Sequence, residues 1–273
     1  MRLGILFMWL FSAFSRTKQC ENFRYTKDVP PASSFQVISN VSAASLEYLY
    51  AMCTADCFSH IECNAIDVCG TFCRLIRGWD SIYTEGNTSE QCQRYQVECG
   101  QGEFYDRVSK TCVSHDYCDF ESDSEPSCFL AEDNTDDGDW IRNQGATPTS
   151  STGPSVAKFG SYYKYVDTAT LNTDNEVTLV STKTFTARPH CLTLYYHMFG
   201  AHTGNLSVLV TNGTSPGETK WTVSGENQDI WKQVVGIDLD LDPQTQILIT
   251  ARKDNGTMGD IAVDFIELWP YRC

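Results

Sequence analysis

The stretch Cys191-Leu-Thr-Leu-Tyr-Tyr-His-Met-Phe-Gly200 decides the fold of the C-terminal part of this chain. Within it, apolar side chains recur at every second position, at Leu192, Leu194, Tyr196 and Met198. Successive side chains of a strand point to opposite faces of a sheet, so this period predicts a β-strand with one face in a core. We therefore expect a sheet protein here.

Similar short apolar segments follow this stretch, and turn-forming residues separate them. The segments are 206–210, 233–239, 246–251 and 261–268, and the turns include Asn212-Gly213, Asp242-Pro243 and Asn255-Gly256. No helical pattern intervenes. Many short strands joined by turns predict an antiparallel β-sandwich.

Four strings in a fixed order carry a family resemblance. They are Cys118-Asp-Phe-Glu121, Asp136-Asp-Gly-Asp-Trp-Ile-Arg142, the stretch 191–200, and Gly259-Asp-Ile-Ala-Val-Asp-Phe-Ile266, which is followed by Cys273. By their order and spacing, residues 118–273 resemble a MAM domain. The resemblance implies a jelly-roll-like sandwich, the disulfides Cys118–Cys128 and Cys191–Cys273, and a role in homophilic adhesion and oligomer assembly.

The N-terminal part has a different pattern. Apolar residues fall on one stripe of a helix, at Leu46, Leu49, Tyr50, Cys53 and Cys57. Two strands are predicted next, at 62–68 and 72–76, with a tight turn at Gly70-Thr71. This is the pattern of a small α+β domain rich in cysteine.

The helix and the two strands resemble a PAN/apple domain, which we assign to residues 16–98. The resemblance implies the disulfides Cys20–Cys92, Cys53–Cys73 and Cys57–Cys63. Cys69 is extra to that pattern. Residues 99–117 are interpreted as a linker stapled by a Cys99–Cys112 bridge; the alternative is a fragment of a small cysteine-rich module.

Residues 1–15 have the layout of a cleaved signal peptide, with Arg2 followed by an apolar run that is too short to span a bilayer. We expect a secreted, soluble protein, since no later stretch reaches about 20 apolar residues and no lipid-anchor signal follows Cys273. Five Asn-x-Ser/Thr sequons fit export and would mark exposed loops if glycosylated: Asn40, Asn87, Asn205, Asn212 and Asn255.

Thirteen cysteines in an exported chain predict a disulfide framework. Zinc is the weaker interpretation of the Cys-x3-Cys spacings, because no matching histidine cluster accompanies them. An odd number leaves one cysteine over, and Cys69 is the candidate for an intermolecular bridge in a homodimer or to another chain. The alternatives are a buried free Cys69, or a Cys69–Cys73 bridge that leaves Cys53 over.

The net charge of −15 disfavours nucleic acid and anionic membrane surfaces as partners. No nucleophile elbow, His-Glu-x-x-His string or glycine-rich phosphate loop is present, and the five histidines have no recognised ligand spacing. We therefore predict that the protein is not an enzyme and requires no cofactor.

Asp264 lies inside an otherwise apolar strand, and a buried carboxylate needs a cation or several hydrogen bonds. One candidate is a calcium ion shared with Glu121, Asp123 and Asp139, and the resemblance raises its standing because some MAM domains bind cations. The other candidates are a pairing with Arg142 or hydrogen bonds alone. Two departures weaken the carry-over: 154–157 reads Pro-Ser-Val-Ala where many MAM domains have Asp-His-Thr, and Phe265 replaces a usual aspartate.

Together these features predict a secreted adhesion or recognition protein that binds extracellular proteins or glycans and assembles into oligomers without catalysis. One alternative is an acidic component of an extracellular matrix or coat that binds calcium. A second alternative is a glycan-binding lectin.

Overall fold

The structure is a computed structural model that describes residues 24–29, 37–43, 45–77, 92–100, 103–114, 116–125, 128–213, 217–225 and 228–273. The predicted signal peptide at 1–15, Cys20 and Asn87 lie outside the described residues. The chain divides into two compact units, one that ends at Ser114 and one that begins at His115.

The first unit contains a five-stranded antiparallel sheet with one helix packed against it. The strands occur in the order β1-β5-β3-β4-β2 across the sheet. Their bounds are Arg24–Val29 for β1, Val37–Ser42 for β2, Cys63–Cys69 for β3, Phe72–Arg77 for β4 and Cys92–Gln96 for β5. The two strands and the tight turn predicted at 62–76 are thus present as β3 and β4.

Helix α1 spans Leu46–Ser59 and begins at Ser45, whose hydroxyl accepts a hydrogen bond from the amide of Tyr48. Leu49, Cys53 and Cys57 are buried against Ile66, Val68 and Leu75 of the sheet, as the helical period predicts. The prediction was wrong for Leu46, which is 58% exposed. Leu46 is the first residue of the helix, and the contacts of the helix with the buried cluster begin only at Leu49.

The disulfides of the first unit correct the predicted pairing at Cys20 and Cys69. Cys53–Cys73 and Cys57–Cys63 are bonded as the resemblance implies, but Cys92 is bonded to Cys69 and not to Cys20. The reason lies in the sheet, where β3 and β5 are antiparallel neighbours with Val68 opposite Gln93. The next pair outward is Cys69 and Cys92, whose Cα atoms are 4.4 Å apart, within disulfide reach.

A two-stranded hairpin completes the first unit, with β6 at Glu103–Asp106 and β7 at Thr111–Ser114, and the Cys99–Cys112 bridge closes it. Arg107, at its turn, donates hydrogen bonds to the carbonyls of Cys57, Phe58 and His60. These carbonyls lie at the end of α1, and Arg107 caps the helix there together with the backbone amide of His60, which donates to Cys57. Through Arg107 the hairpin at 103–114 thus contacts the end of α1.

The second unit is a sandwich of two antiparallel sheets, as predicted. The first sheet has the order β10-β11-β18-β13-β16 with β8 paired to β18, and the second has the order β15-β14-β17-β12-β9. The bounds in the first sheet are Asp116–Cys118 (β8), Ile141–Gln144 (β10), Tyr162–Val166 (β11), Arg188–Met198 (β13), Lys232–Leu241 (β16) and Ile261–Trp269 (β18). Those in the second are Leu130–Glu132 (β9), Glu176–Ser181 (β12), Asn205–Thr211 (β14), Glu218–Ser224 (β15) and Gln246–Arg252 (β17).

The core lies between these sheets and is built from alternate residues of each strand. The first sheet contributes Leu192, Leu194, Met198, Val263 and Leu268, and the second contributes Val177, Leu179, Leu206, Val208 and Ile249. Cys118–Cys128 and Cys191–Cys273 bond as the resemblance implies. The described residues contain no helix with the length and apolar character needed to cross a membrane.

Candidate functional site

Asp264 is a charged residue in the interior of the second unit. It lies on β18, it is 0% exposed, and its Oδ2 accepts hydrogen bonds from the amides of Lys158 (2.8 Å) and Phe159 (3.0 Å). Its Oδ1 is also buried and accepts no hydrogen bond of ordinary geometry. Burial raises the pKa of Asp264 to about 8, the amide bonds oppose this rise, and the charge of Glu121 adds to it.

Glu121 lies on the loop that follows β8, and it holds the same segment of chain as Asp264. Its Oε1 accepts hydrogen bonds from the amides of Ser161 (2.9 Å) and Tyr162 (2.8 Å). Gly160 lies between the two amides that bind Asp264 and the two that bind Glu121. Its φ is +61°, and a Cβ atom there would overlap the Glu121 carboxylate. The two carboxylates thus fix residues 158–162 through four backbone amides.

Aromatic residues of β13 and β18 also pack against this segment. The ring of Phe159 meets Tyr195 of β13 edge-on at 5.2 Å and Phe265 of β18 at 5.4 Å. Asp264 and Phe265 both reach the segment because β18 bulges here: Thr193 pairs with Glu267 and Tyr195 with Asp264, so β18 has one residue more than β13. The φ of Phe265, +44°, marks that bulge.

Arg142 of β10 anchors the loop that carries Glu121. Its guanidinium donates to the carbonyls of Phe120 (2.6 Å) and Glu121 (2.9 Å), stacks 3.5 Å above the ring of Tyr162, and pairs with Asp123 at 3.2 Å. The side chain of Asp123 is 86% exposed. One interpretation of the sequence paired Arg142 with Asp264, and the structure does not have this pair. Asp264 instead accepts hydrogen bonds from the amides of 158–159.

The structure brings together two of the four carboxylates predicted as calcium ligands. Glu121 and Asp264 lie close enough for the charge of one to raise the pKa of the other, whereas Asp123 is turned to Arg142 and Asp139 is exposed. Within the described part of the chain, no group of three or more His, Cys, Asp or Glu residues is arranged to hold a metal ion.

Calcium takes about six to eight oxygen ligands, so a site here would need carbonyl or water oxygens in addition to the two carboxylates. The feature that fits an ion is the buried Oδ1 of Asp264, which accepts no hydrogen bond of ordinary geometry and belongs to a carboxyl group whose pKa the charge of Glu121 raises. The sequence analysis missed the four amide donors of 158–162. The signal for them was Gly160, the glycine that lets backbone approach a carboxylate.

The sequons occupy strands as well as loops. Asn40 is exposed on β2, an edge strand, and Asn212 and Asn255 are exposed in connections between strands. Asn205 is half-buried at the first position of β14 and is hydrogen bonded to Thr222. Asn205 thus lies on a paired strand, whereas a glycosylated sequon was expected to mark a loop.

Comparison with known proteins gives one family match. The model of the family described as "MAM domain, meprin/A5/mu" matches residues 118–273. Neuropilin-1a of Danio rerio is 29% identical over 202 residues, which cover 66% of this chain and 22% of that protein. MAM domain-containing protein 2 of Homo sapiens is 30% identical over 167 residues, 57% of this chain and 23% of that protein.

A third relative is MAM domain-containing glycosylphosphatidylinositol anchor protein 1 of Homo sapiens, 28% identical over 177 residues, 61% of this chain and 18% of that protein. The chain thus covers about a fifth of the length of these relatives. Among solved structures, the K1 cleaved adhesin domain of Lys-gingipain from Porphyromonas gingivalis has a TM-score of 0.40 at 16% identity, covering 57% of this chain and 98% of that one. A likeness this distant supports no conclusion about function.

Proposed function

Because the chain belongs to the MAM domain family through residues 118–273, we propose that it is an extracellular recognition protein that binds other proteins and assembles into oligomers without catalysing a reaction. The family match is the observation that carries this proposal. Six disulfides support it, since such bonds persist in oxidising compartments outside the cytosol.

The names of several relatives point in the same direction. Two of these names contain the term glycosylphosphatidylinositol anchor, which denotes a lipid that attaches a protein to a membrane in place of a transmembrane helix. A family module in such proteins works outside the cell. We carry over to this chain the extracellular setting and not the anchor.

We propose that the first unit is an apple-like module and supplies a second binding surface. The support is its architecture, a five-stranded antiparallel sheet with α1 cross-linked to it by Cys53–Cys73. Cys57–Cys63 joins the end of the same helix to the start of β3. The Cys69–Cys92 bond departs from the pairing that the apple resemblance implies, so the likeness rests on the helix, the sheet and two bridges.

The proposal is tested by proximity labelling with the full chain, fused to a labelling enzyme and applied to the tissue that secretes it. We expect enrichment of extracellular or cell-surface proteins that excess unfused protein abolishes. The control is the same fusion with an unrelated disulfide-bonded β-sandwich. Enrichment that resists competition would contradict protein recognition, and binding to protein-free immobilised glycans would favour the lectin alternative.

Oligomer assembly has its own test, sedimentation velocity over a range of concentrations. We expect a species larger than the monomer whose fraction rises with concentration or that is covalent under non-reducing conditions. A monomer at every concentration, with and without reductant, would remove oligomer assembly from the proposal and leave recognition in place.

We also propose that Glu121 and Asp264 bind one calcium ion. The buried Oδ1 of Asp264, beside a second carboxylate, supports this assignment. Calorimetric titration of the chelator-treated protein should reveal one site that Asp264→Asn and Glu121→Gln abolish and the matched control Asp139→Asn retains. No heat would contradict the site, and many weak sites would favour the acidic matrix alternative.

A further inference from the structure

The disulfide between Cys99 and Cys112 differs from the other five described disulfides in its exposure. Each of the other five contains at least one cysteine whose exposed fraction is 0%. Here Cys112 is exposed and Cys99 is half-buried. Thiol–disulfide exchange requires a thiolate to reach one of the two sulfurs, so its rate depends on access. An external thiol can therefore reach this bridge without unfolding of the chain.

The bridge is the covalent cross-link of the hairpin formed by β6 and β7. Cys112 lies on β7 opposite Tyr105 of β6, and Cys99 lies just before the hairpin begins. Among the described residues, no other disulfide has a cysteine within 99–114. A hairpin of two strands is at best marginally stable by itself in water. Opening of this bridge should therefore loosen the hairpin.

The hairpin also holds Arg107 at the end of α1. The guanidinium donates to the carbonyls of Phe58 at 2.9 Å and His60 at 2.7 Å, and it lies 5.1 Å from the centroid of the Phe58 ring. Arg107 reaches these groups from the turn between β6 and β7. A hairpin that loosens therefore weakens the cap on the helix.

We propose that an external thiol reduces Cys99–Cys112 in the folded protein and that the opened hairpin releases Arg107 from the end of α1. A thiolate attacks the sulfur of Cys112, the more exposed residue, and forms a mixed disulfide. The bond between the two cysteines breaks, and its electron pair stays on the sulfur of Cys99, which takes up a proton. A second thiolate then attacks the mixed disulfide and releases Cys112, which is protonated in turn. Two external thiols are thus oxidised to a disulfide, and the bridge is reduced to two thiols.

The reductant is a thiol, from a small molecule such as glutathione or from a protein with two reactive cysteines. Both sources attack through a thiolate, so the same exposed bridge serves either of them. The reaction needs no other group, and it is independent of the recognition function proposed above.

The buried bridges give an internal control in the same molecule. Cys53 and Cys73, which join α1 to β4, are both 0% exposed, and Cys69–Cys92, between β3 and β5, is 2% and 0% exposed. A thiol reaches such sulfurs only after local or global opening of the chain. Dilute urea populates open forms, so it should accelerate reduction of these bridges. It should leave reduction of Cys99–Cys112 unchanged, because that reaction starts from the folded state.

The first test follows reduction of the purified full chain under native conditions. Existing thiols are blocked with N-ethylmaleimide, reduced glutathione is added with or without a thioredoxin system, and iodoacetamide traps new thiols for peptide mass spectrometry. We expect Cys99 and Cys112 to be labelled at least about tenfold faster than cysteines of the other bridges, with no acceleration in dilute urea. Reduction by glutathione alone would support the proposal with a small thiol as the source, and reduction only with thioredoxin would support it with a protein as the source.

Two results of this test would overturn the proposal. One is labelling of Cys99 and Cys112 no faster than that of the buried bridges. The other is a rate for this bridge that rises with urea in parallel with the rates for the buried bridges, because the thiol would then need an opened chain.

The second test measures hydrogen exchange at the end of α1. The amide of His60 donates to the carbonyl of Cys57 at 3.2 Å. Exchange at 57–60 should be at least about threefold faster in Cys99→Ser/Cys112→Ser than in the wild type, with β13 as the unchanged reference. The wild type with its bridge reduced and alkylated gives the same comparison if the variant is not recovered.

Arg107→Ala is the matched control for this coupling. If the bridge acts on α1 through Arg107, opening the bridge in Arg107→Ala should add little to the exchange rate at 57–60. An exchange rate at 57–60 that does not change when the bridge opens would overturn the release of Arg107. An equal acceleration with and without Arg107 would overturn it too, because the effect would then reach the helix by another contact.

Discussion

Glu121 and Asp264 accept hydrogen bonds from backbone amides of the same segment, residues 158–162, although they lie at opposite ends of the second unit's sequence. One carboxylate comes from the loop after β8 and the other from the bulge of β18. The segment between them leads into β11, so this pair fixes how the chain enters the first sheet of the sandwich.

Replacing Asp264 should show what its carboxyl group contributes to stability. Asp264→Ala leaves two amides without an acceptor and should lower the free energy of unfolding by about 3 kcal/mol. Asp264→Asn keeps an acceptor oxygen of the same shape and should cost less than about half of that. Urea unfolding of both variants measures the difference, and equal losses would show that the amide contacts are not the reason.

Arg107 should stabilise the first unit through the end of α1. Arg107→Ala removes the charged donor that the carbonyls of Cys57, Phe58 and His60 share and should lower the free energy of unfolding by about 2 kcal/mol. The control is Arg272→Ala, because Arg272 pairs with Asp240 in an exposed bridge and its loss should cost less than about 1 kcal/mol. Similar losses for both variants in denaturant would contradict the cap.

The buried pair of Asp67 and Arg94 should be sensitive to the loss of one partner. The guanidinium donates two bonds, at 2.6 and 2.7 Å, to the carboxylate across β3 and β5. Arg94→Met leaves a buried carboxylate alone and should cost about 3–5 kcal/mol, while the double variant Asp67→Leu/Arg94→Met should recover most of that. A double variant no more stable than Arg94→Met alone would argue against this explanation.

His190 predicts a loss of stability in acid. Burial lowers its pKa from 6.5 to about 4, and the charges of Arg188 and Lys183 add to this, although a hydrogen bond to the Arg188 carbonyl opposes it. In the unfolded chain His190 binds a proton below pH 6.5, whereas in the folded chain it binds one only below about pH 4. The free energy of unfolding therefore falls as the pH is lowered across that window, by up to about 3 kcal/mol.

The measurement compares the wild type with His190→Gln by denaturant unfolding at several pH values. The variant lacks the titrating group, so its advantage over the wild type should grow as pH falls from 6.5 to about 4 and then level off. Parallel pH profiles for the two proteins would show that His190 takes a proton equally well in the folded and unfolded chain.

The cysteine pairing predicts which residue remains for an intermolecular bond. Thirteen cysteines less the twelve in the six described bridges leave Cys20. Peptide mapping of the unreduced protein should find Cys69 linked to Cys92. If a covalent dimer forms, Cys20→Ser should abolish its band on a non-reducing gel, and a dimer that persists in that variant would contradict the assignment.

Much of the fold could be predicted from local patterns. The period of two at Leu192 to Met198 places one face of β13 in the core, and the helical period at Leu49, Cys53 and Cys57 places one face of α1 on its sheet. Both follow from side-chain geometry within one element. Leu46 was not predicted correctly, because the helical period does not show how far along the helix the contacts with the sheet extend.

The amino-acid sequence by itself determined the alternating strand pattern of the sandwich, the family of residues 118–273 and the isolation of Asp264 among apolar neighbours. Only the tertiary structure decided that Cys92 meets Cys69, that Arg107 caps α1, and that backbone amides of 158–162 reach Asp264 and Glu121. The physical reason is that periodicity reports which way a side chain faces, whereas these partners depend on strand order and register. Backbone amides are present at nearly every residue, so a glycine such as Gly160 can mark a close approach of the backbone but does not identify which carboxylate the amides bind.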